Sequence, residues 1–309
     1  MLARIAHELF WLGRNLGRAE HTARMLDGVL LGDLQGRPEA PEGITLGWGG
    51  LLAIMGAPHT EGPLLREDVL HALTSDRDNP GSVVSCVARA REGARTVRDV
   101  ISAEMWEAIN TTNLALEGGM MPLPRTYVRE RCALFWGLAA RTMLRDDASA
   151  FLSAGGRTES ADMILRMLRV ALPPAGAEGD VEGGQALALL HAVGGWQAYR
   201  RAVPGPPNAL PVARFLLYEV AFPDSVAASV EATRNVLHRA DANPRTSEPI
   251  LRLSRLGADL EFQARTDGGG RDLSATCESV QQELARVDAD IAERYFAGAA
   301  SPGVVTSSA

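Results

Sequence analysis

The chain has 309 residues, 46% of them hydrophobic and 22% charged, enough apolar material for a sizeable core in one large domain or two smaller ones. Its 31 basic residues are all Arg, against 38 acidic residues, for a net charge of −7. The absence of Lys excludes Schiff-base chemistry and a Walker-type phosphate loop, and the acidic balance argues against nucleic acid or an anionic membrane as partner.

The first helix is predicted at about 3–34. Arg4, His7, Glu8 and Arg14 interrupt its apolar positions, so the N-terminus does not read as a signal peptide. Residues 35–62 are rich in Gly and Pro and read as an exposed loop around an apolar patch, Leu51–Met55. The longest uncharged apolar stretch, 47–58, is too short to span a membrane. After a helix at 64–75 comes the clearest periodicity. Val83, Val87, Ala90, Ala94, Val97, Ile101 and Ala108 form one apolar stripe, predicting a single helix over 83–109. Asn79 is its candidate N-cap and Pro80 its first helical position, and this helix is expected to run through the centre of the fold. Further helices are predicted at 126–153, 159–173, 184–202, 208–221, 225–241, 246–265 and 271–297. They are separated by Pro and Gly breakers and by a flexible linker at 173–184. No window alternates as a strand does, so the fold class is all-α: a single large helical bundle over 1–298, with a disordered tail at 299–309.

Cys86, Cys132 and Cys277 are scattered, which fits neither a disulfide scaffold nor structural zinc, and points to a reducing compartment. The expected location is cytoplasmic. Cys86 and Cys132 lie in apolar helical surroundings and read as buried and inert. The six His residues complete no Glu-x-x-His pair of the kind a bundle di-iron site needs, and Glu67/His71 stands alone. Asp146-Asp147 lacks the third acid of a D-D-x-x-D magnesium site. No metal or cofactor is therefore expected, and the isolated chain is expected neither to bind nor to hydrolyse ATP. No serine- or cysteine-nucleophile motif is present, so catalytic residues stay unassigned.

A weak internal repeat aligns Gly13–Leu26 with Gly155–Leu168, with five identities in fourteen positions where about one is expected by chance. It divides the bundle into halves of about 1–120 and 121–298. The first copy contains L-G-R-A-E-H-T-A-R-M-L-D (16–27) and the second T-E-S-A-D-M-I-L-R-M-L (158–168). With these motifs and the stretches at 79–110, 142–147 and 214–226, the chain resembles the Alpha-E family, all-helical bacterial proteins with a repeated Glu-Arg motif. The resemblance runs from residue 1 to about 296. Two signature positions depart from it: Gly17 replaces the Glu of the first copy, and Ser160 replaces the Arg of the second. Arg18 and Glu159 survive.

The resemblance implies an accessory or peptide-holding role beside a circularly permuted ATP-grasp ligase, sometimes with a transglutaminase-like protein. It also leaves open an enzyme of the same peptide-modifying pathway that uses an Arg/Glu cluster, and a degenerate scaffold. Self-association into a homo-oligomer is admitted.

The residues themselves supply candidates for an anion, peptide or partner site. Arg91, Arg95 and Arg98 share one helix face by spacing, as do Arg141 and Arg145, and Arg14 and Arg18. Arg suits bidentate recognition of carboxylate or phosphate. Glu20/Arg24 and Asp162/Arg166 have the i,i+4 spacing of ordinary helix ion pairs. The candidate set is Arg18, Glu20, Arg24, Arg91, Arg95, Arg98, Arg145, Asp146, Glu159, Asp162 and Arg166. The competing reading is a structural network of ion pairs. Within the set, Arg18 and Glu159 are expected to meet across the two halves, as the balanced remnant of two signature pairs.

Overall fold

The computed structural model describes residues 1–34, 46–57, 65–118, 124–171, 183–266 and 273–298. Of the linker expected at 173–184, residues 173–182 lie outside the described residues and 183–184 begin a helix, and the tail at 299–309 lies outside them as well. Those described form thirteen α-helices, one 3-10 turn at Pro244–Thr246 and no strand, which is the all-α class expected.

Two helices organise the rest. Helix α1 (Ala3–Leu34) packs against α2 (Trp48–Met55), α3 (Arg66–Thr74), α4 (Val83–Thr96), α6 (Pro124–Thr142), α7 (Asp147–Ala171), α8 (Gly183–Ala192) and α13 (Leu273–Tyr295). Helix α7 packs in turn against α10 (Ala209–Tyr218), α11 (Val226–Ala240) and α13. Of its 25 residues, 18 are buried, so it presents almost no face to solvent, which marks a central helix. Helix α5 (Ala103–Glu117) packs on α4 and α6, α9 (Trp196–Ala202) follows α8, and α12 (Glu248–Thr266) closes against α11 and α13.

This corrects the expectation that 79–110 forms one central helix. The segment is broken: α4 ends at Thr96, and Ser102 caps α5 by accepting a hydrogen bond from the Met105 N–H at 3.2 Å. The apolar stripe nevertheless continues through the turn. Ala90, Ala94, Val97 and Ile101 are all buried, because both short helices press the same face onto the core. The cap of α4 is Ser82, not Asn79. Asn79 folds the preceding turn instead, accepting from the Gly81 N–H and donating to the Ala72 carbonyl.

The break between α6 and α7 falls at 143–146 rather than near 154–158. Asp146 fixes it, its carboxylate accepting from the N–H groups of Ala148 and Ser149. The predicted 184–202 helix is split at Gly194, whose φ of +68° only glycine adopts without strain. The Leu51–Met55 patch, expected within a loop, is part of helix α2, which buries Leu51, Leu52 and Ile54 in the core.

Candidate functional site

The site begins where α1 crosses α7. A Cβ atom on Gly155 would overlap the Phe10 carbonyl oxygen, and one on Gly13 would overlap the Leu152 carbonyl oxygen. Only glycine permits this approach of two helix backbones. The contact is reciprocal in register, since each glycine meets the residue three positions before the other. The crossing sets residues 14–24 of α1 against 156–166 of α7, the aligned segments of the repeat.

One turn beyond the glycines, charged side chains enter the interior. Glu159 is fully buried. Arg18 Nε donates to its Oε1 at 2.6 Å, and Arg14 Nε lies 2.8 Å from its Oε2 as an ion pair outside hydrogen-bond alignment. Arg14 also donates through Nη1 to Asp288 of α13 at 2.5 Å. Burial alone would raise the Glu159 pKa. Arg18 and Arg14 outweigh that and hold it down at about 2. Burial likewise opposes the charge on Arg14, but Asp288 and Glu159 raise its pKa above the ordinary value. Glu159 raises that of Arg18 against the effect of burial. Asp288 moves the other way, upward, because burial prevails over the neighbouring Arg14. The ion cluster is internally matched, and its central carboxylate is closed to solvent.

The expected meeting of Arg18 and Glu159 is thus present. The neighbouring i,i+4 pairs form as well. Arg24 donates to Glu20 at 2.7 Å and Arg166 to Asp162 at 2.9 Å. Gln281 of α13 donates to the other Asp162 oxygen at 2.9 Å. The remaining candidates do not join this set. Arg91 and Arg95 both pair with Glu92, and the guanidinium groups of Arg91 and Arg98 lie over the Trp106 ring, 5.7 and 5.0 Å from its centroid. All three stay on the α4–α5 side, Arg91 and Arg95 within α4 and Arg98 beyond its end, in the turn the continuous stripe concealed. Asp146 is spent on capping α7.

Sequence reasoning missed Asp288 and Gln281. Their seven-residue spacing on one face of α13 is the only local signal, and nothing local says which helix that face meets. It also missed a cleft of about 700 Å³ on another side of the crossing. Gly17, Glu20 and His21 of α1, Trp136 of α6, Ser160 of α7 and Arg239 of α11 all line it, together with Arg145. Both eroded signature positions, 17 and 160, therefore face the same space. His21 Nε2 lies 3.1 Å from Ser160 Oγ, with both residues buried. On the α7–α11 side Arg157 pairs with Asp224 at 3.3 Å.

Among the described residues, no group of three or more His, Cys, Asp or Glu side chains is placed to hold a metal ion. No described helix is long and apolar enough to cross a membrane. The three cysteines are buried and form no disulfide with one another, and burial pushes the Cys86 and Cys132 thiols up.

The arrangement of an Arg-Glu pair on the two crossing helices coincides with a family match. The model of a predicted alpha-helical domain with a conserved ER motif, Alpha-E, matches residues 1–296. The chain belongs to the Alpha-E family. It is 24% identical over 319 aligned positions to uncharacterised proteins of Mycobacterium bovis and of Mycobacterium tuberculosis strain CDC 1551. In each comparison 93% of this chain is covered, but only 35% of the relative, so this Alpha-E chain spans about a third of the length of the curated relatives it matches. No solved structure matches it significantly.

Proposed function

We propose that this Alpha-E protein is an accessory, peptide-holding module that works in the cytoplasm beside an ATP-grasp-type amide or peptide ligase, in a system that also includes a transglutaminase-like protein. The observation that carries the reading is the cleft between α1, α6, α7 and α11, next to a Glu-Arg cluster that is closed on itself. A fully buried carboxylate with an Arg beside each oxygen is out of a substrate's reach, so the cluster fastens the helices that wall the cleft. The domain accounts for about a third of its mycobacterial relatives, which fits a module that acts with others. Affinity capture of the tagged chain from its native host, with crosslinking and mass spectrometry, tests the partnership. Recovery of an ATP-grasp-type protein is expected, and its repeated absence would overturn the reading.

A second reading, an enzyme of the same pathway, rests on the 3.1 Å contact between His21 Nε2 and Ser160 Oγ rather than on the Arg/Glu cluster. That spacing is the reach of a base to a hydroxyl nucleophile. Labelling of the chain by a fluorophosphonate, lost in Ser160→Ala, would move this reading ahead of the first.

A further inference from the structure

The cleft carries an electrostatic asymmetry that its own residues do not resolve. Of the charged residues that line it, Arg157 and Asp224 pair with each other, and Glu20 pairs with Arg24, which lies outside the lining. Arg145 and Arg239 remain. Both are exposed, both line the cleft, and neither makes an ion pair among the described residues. In a chain of net charge −7, two unmatched guanidinium groups on one concavity make a local positive field of opposite sign to the molecule. A concave wall also focuses that field more than an open surface does.

The lining offers more than charge. His21 is 4% exposed, and its Nδ1 has no hydrogen-bonding partner while Nε2 is engaged by Ser160. Buried polar atoms are nearly always satisfied; this ring nitrogen is not, although it is itself closed to solvent, so the polar group His21 brings to the lining is its ring beside Ser160. Trp136 and Met143 add apolar surface beside these polar groups. Position 17 has no side chain and position 160 a short one, so the space that a signature Glu and Arg would take is left open.

We propose that this cleft binds a small ligand that joins an oxyanion, a carboxylate or a phosphate monoester, to an apolar group. Arg145 and Arg239 hold the oxyanion, as guanidinium forks do, and the apolar group lies against Trp136. The inference specifies the ligand of the holding site and does not depend on the ligase partnership: it is measured on the isolated chain, whereas the partnership is measured by capture.

Isothermal calorimetry of the full chain with N-acetyl-alanyl-leucine, with the same dipeptide as its C-terminal amide, and with phenyl phosphate tests it. At least one of the two anions is expected to bind, about tenfold or more tighter than the amide, and more weakly as salt is raised. Which anion binds tells carboxylate from phosphate. Arg145→Ala and Arg239→Ala, at exposed positions, are each expected to weaken binding about tenfold. Ala140→Trp, at an exposed position on the α6 wall, fills the cleft without changing charge and is expected to remove binding with helicity intact. Absence of heat with both anions, equal affinity for acid and amide with no phosphate binding, or binding untouched by both Arg substitutions and by Ala140→Trp would each overturn the proposal.

Discussion

Arg18 of the first signature helix and Glu159 of the second meet at 2.6 Å in the interior of the bundle, 141 residues apart in the chain. Arg14 shares the same carboxylate from one turn earlier. The cluster is therefore asymmetric: the carboxylate has two cations, whereas Arg18 has one anion and Arg14 two. Glu159→Ala removes the shared partner and is expected to cost about 3–5 kcal/mol, the range for breaking a buried pair from one side. Arg18→Ala leaves Glu159 paired with Arg14, so its cost is expected to fall to about 1–3 kcal/mol. Chemical denaturation of both variants checks the order. Equal losses would mean that Arg14 does not compensate.

The same cluster predicts an acid limb of stability. Glu159 has a pKa of about 2 in the folded state against an ordinary 4.5. A carboxylate lowered on folding contributes stability that is complete above its unfolded value and is lost as pH falls through the folded one. That contribution is on the order of 3 kcal/mol, and it disappears between about pH 4.5 and 2. Asp288, shifted upward, works in the opposite direction. Asp241, lowered by hydrogen bonds from Arg294 and Tyr295, adds to the loss. Comparison with Glu159→Gln isolates the Glu159 part: the stability gap between the two proteins is expected to narrow as pH falls through this window. A constant gap would show that Glu159 titrates normally.

What was legible follows from what each signal encodes. Periodicity reports which residues face the core, and Ala90, Ala94, Val97 and Ile101 are buried as the stripe requires. It does not report continuity, because a tight turn between two helices can keep the same face inward. Ser102, with Glu104 two residues on, was the stop-and-start signal inside that stripe. Gly155 and Gly156 read as a helix break when taken locally, yet they lie inside α7 because α1 crosses there. The pairing of Arg18 with Glu159 was readable because the repeat aligned the two helices. The cleft was not, because α6 and α11 enter it from parts of the chain with no shared motif.

The paired departures at 17 and 160 make a further prediction. A Cβ on Gly17 would lie 3.3 Å from Glu159 Cβ, so Gly17→Glu alone crowds a second carboxylate against the first. Ser160→Arg alone places a guanidinium at a buried position beside His21 without a partner. Each single substitution is expected to destabilise by more than about 1 kcal/mol. Together they can pair with one another, so the double variant is expected to be about 1–3 kcal/mol more stable than the sum of the singles. It should also fill the floor of the cleft and weaken anion binding. Strict additivity would mean that positions 17 and 160 were lost independently.

The backbone contact that sets this register can be tested with one substitution made at two places. Gly137 lies on the exposed side of α6, and a Cβ there meets nothing within 4 Å. Gly137→Ala is expected to stabilise by roughly 0.5–1 kcal/mol, since alanine loses less conformational freedom in a helix. At Gly155 the added Cβ would overlap the Phe10 carbonyl oxygen, a backbone atom that moves only if α1 moves. Gly155→Ala is therefore expected to cost about 2 kcal/mol or more and to weaken Arg18–Glu159, since separating the helices lengthens every contact along the crossing. The sign is decided by tertiary approach rather than by helix propensity, which favours alanine at both positions. Urea unfolding midpoints that rise for both variants would show that α1 and α7 do not touch backbone to backbone, and the register that brings Arg18 to Glu159 would then need another cause.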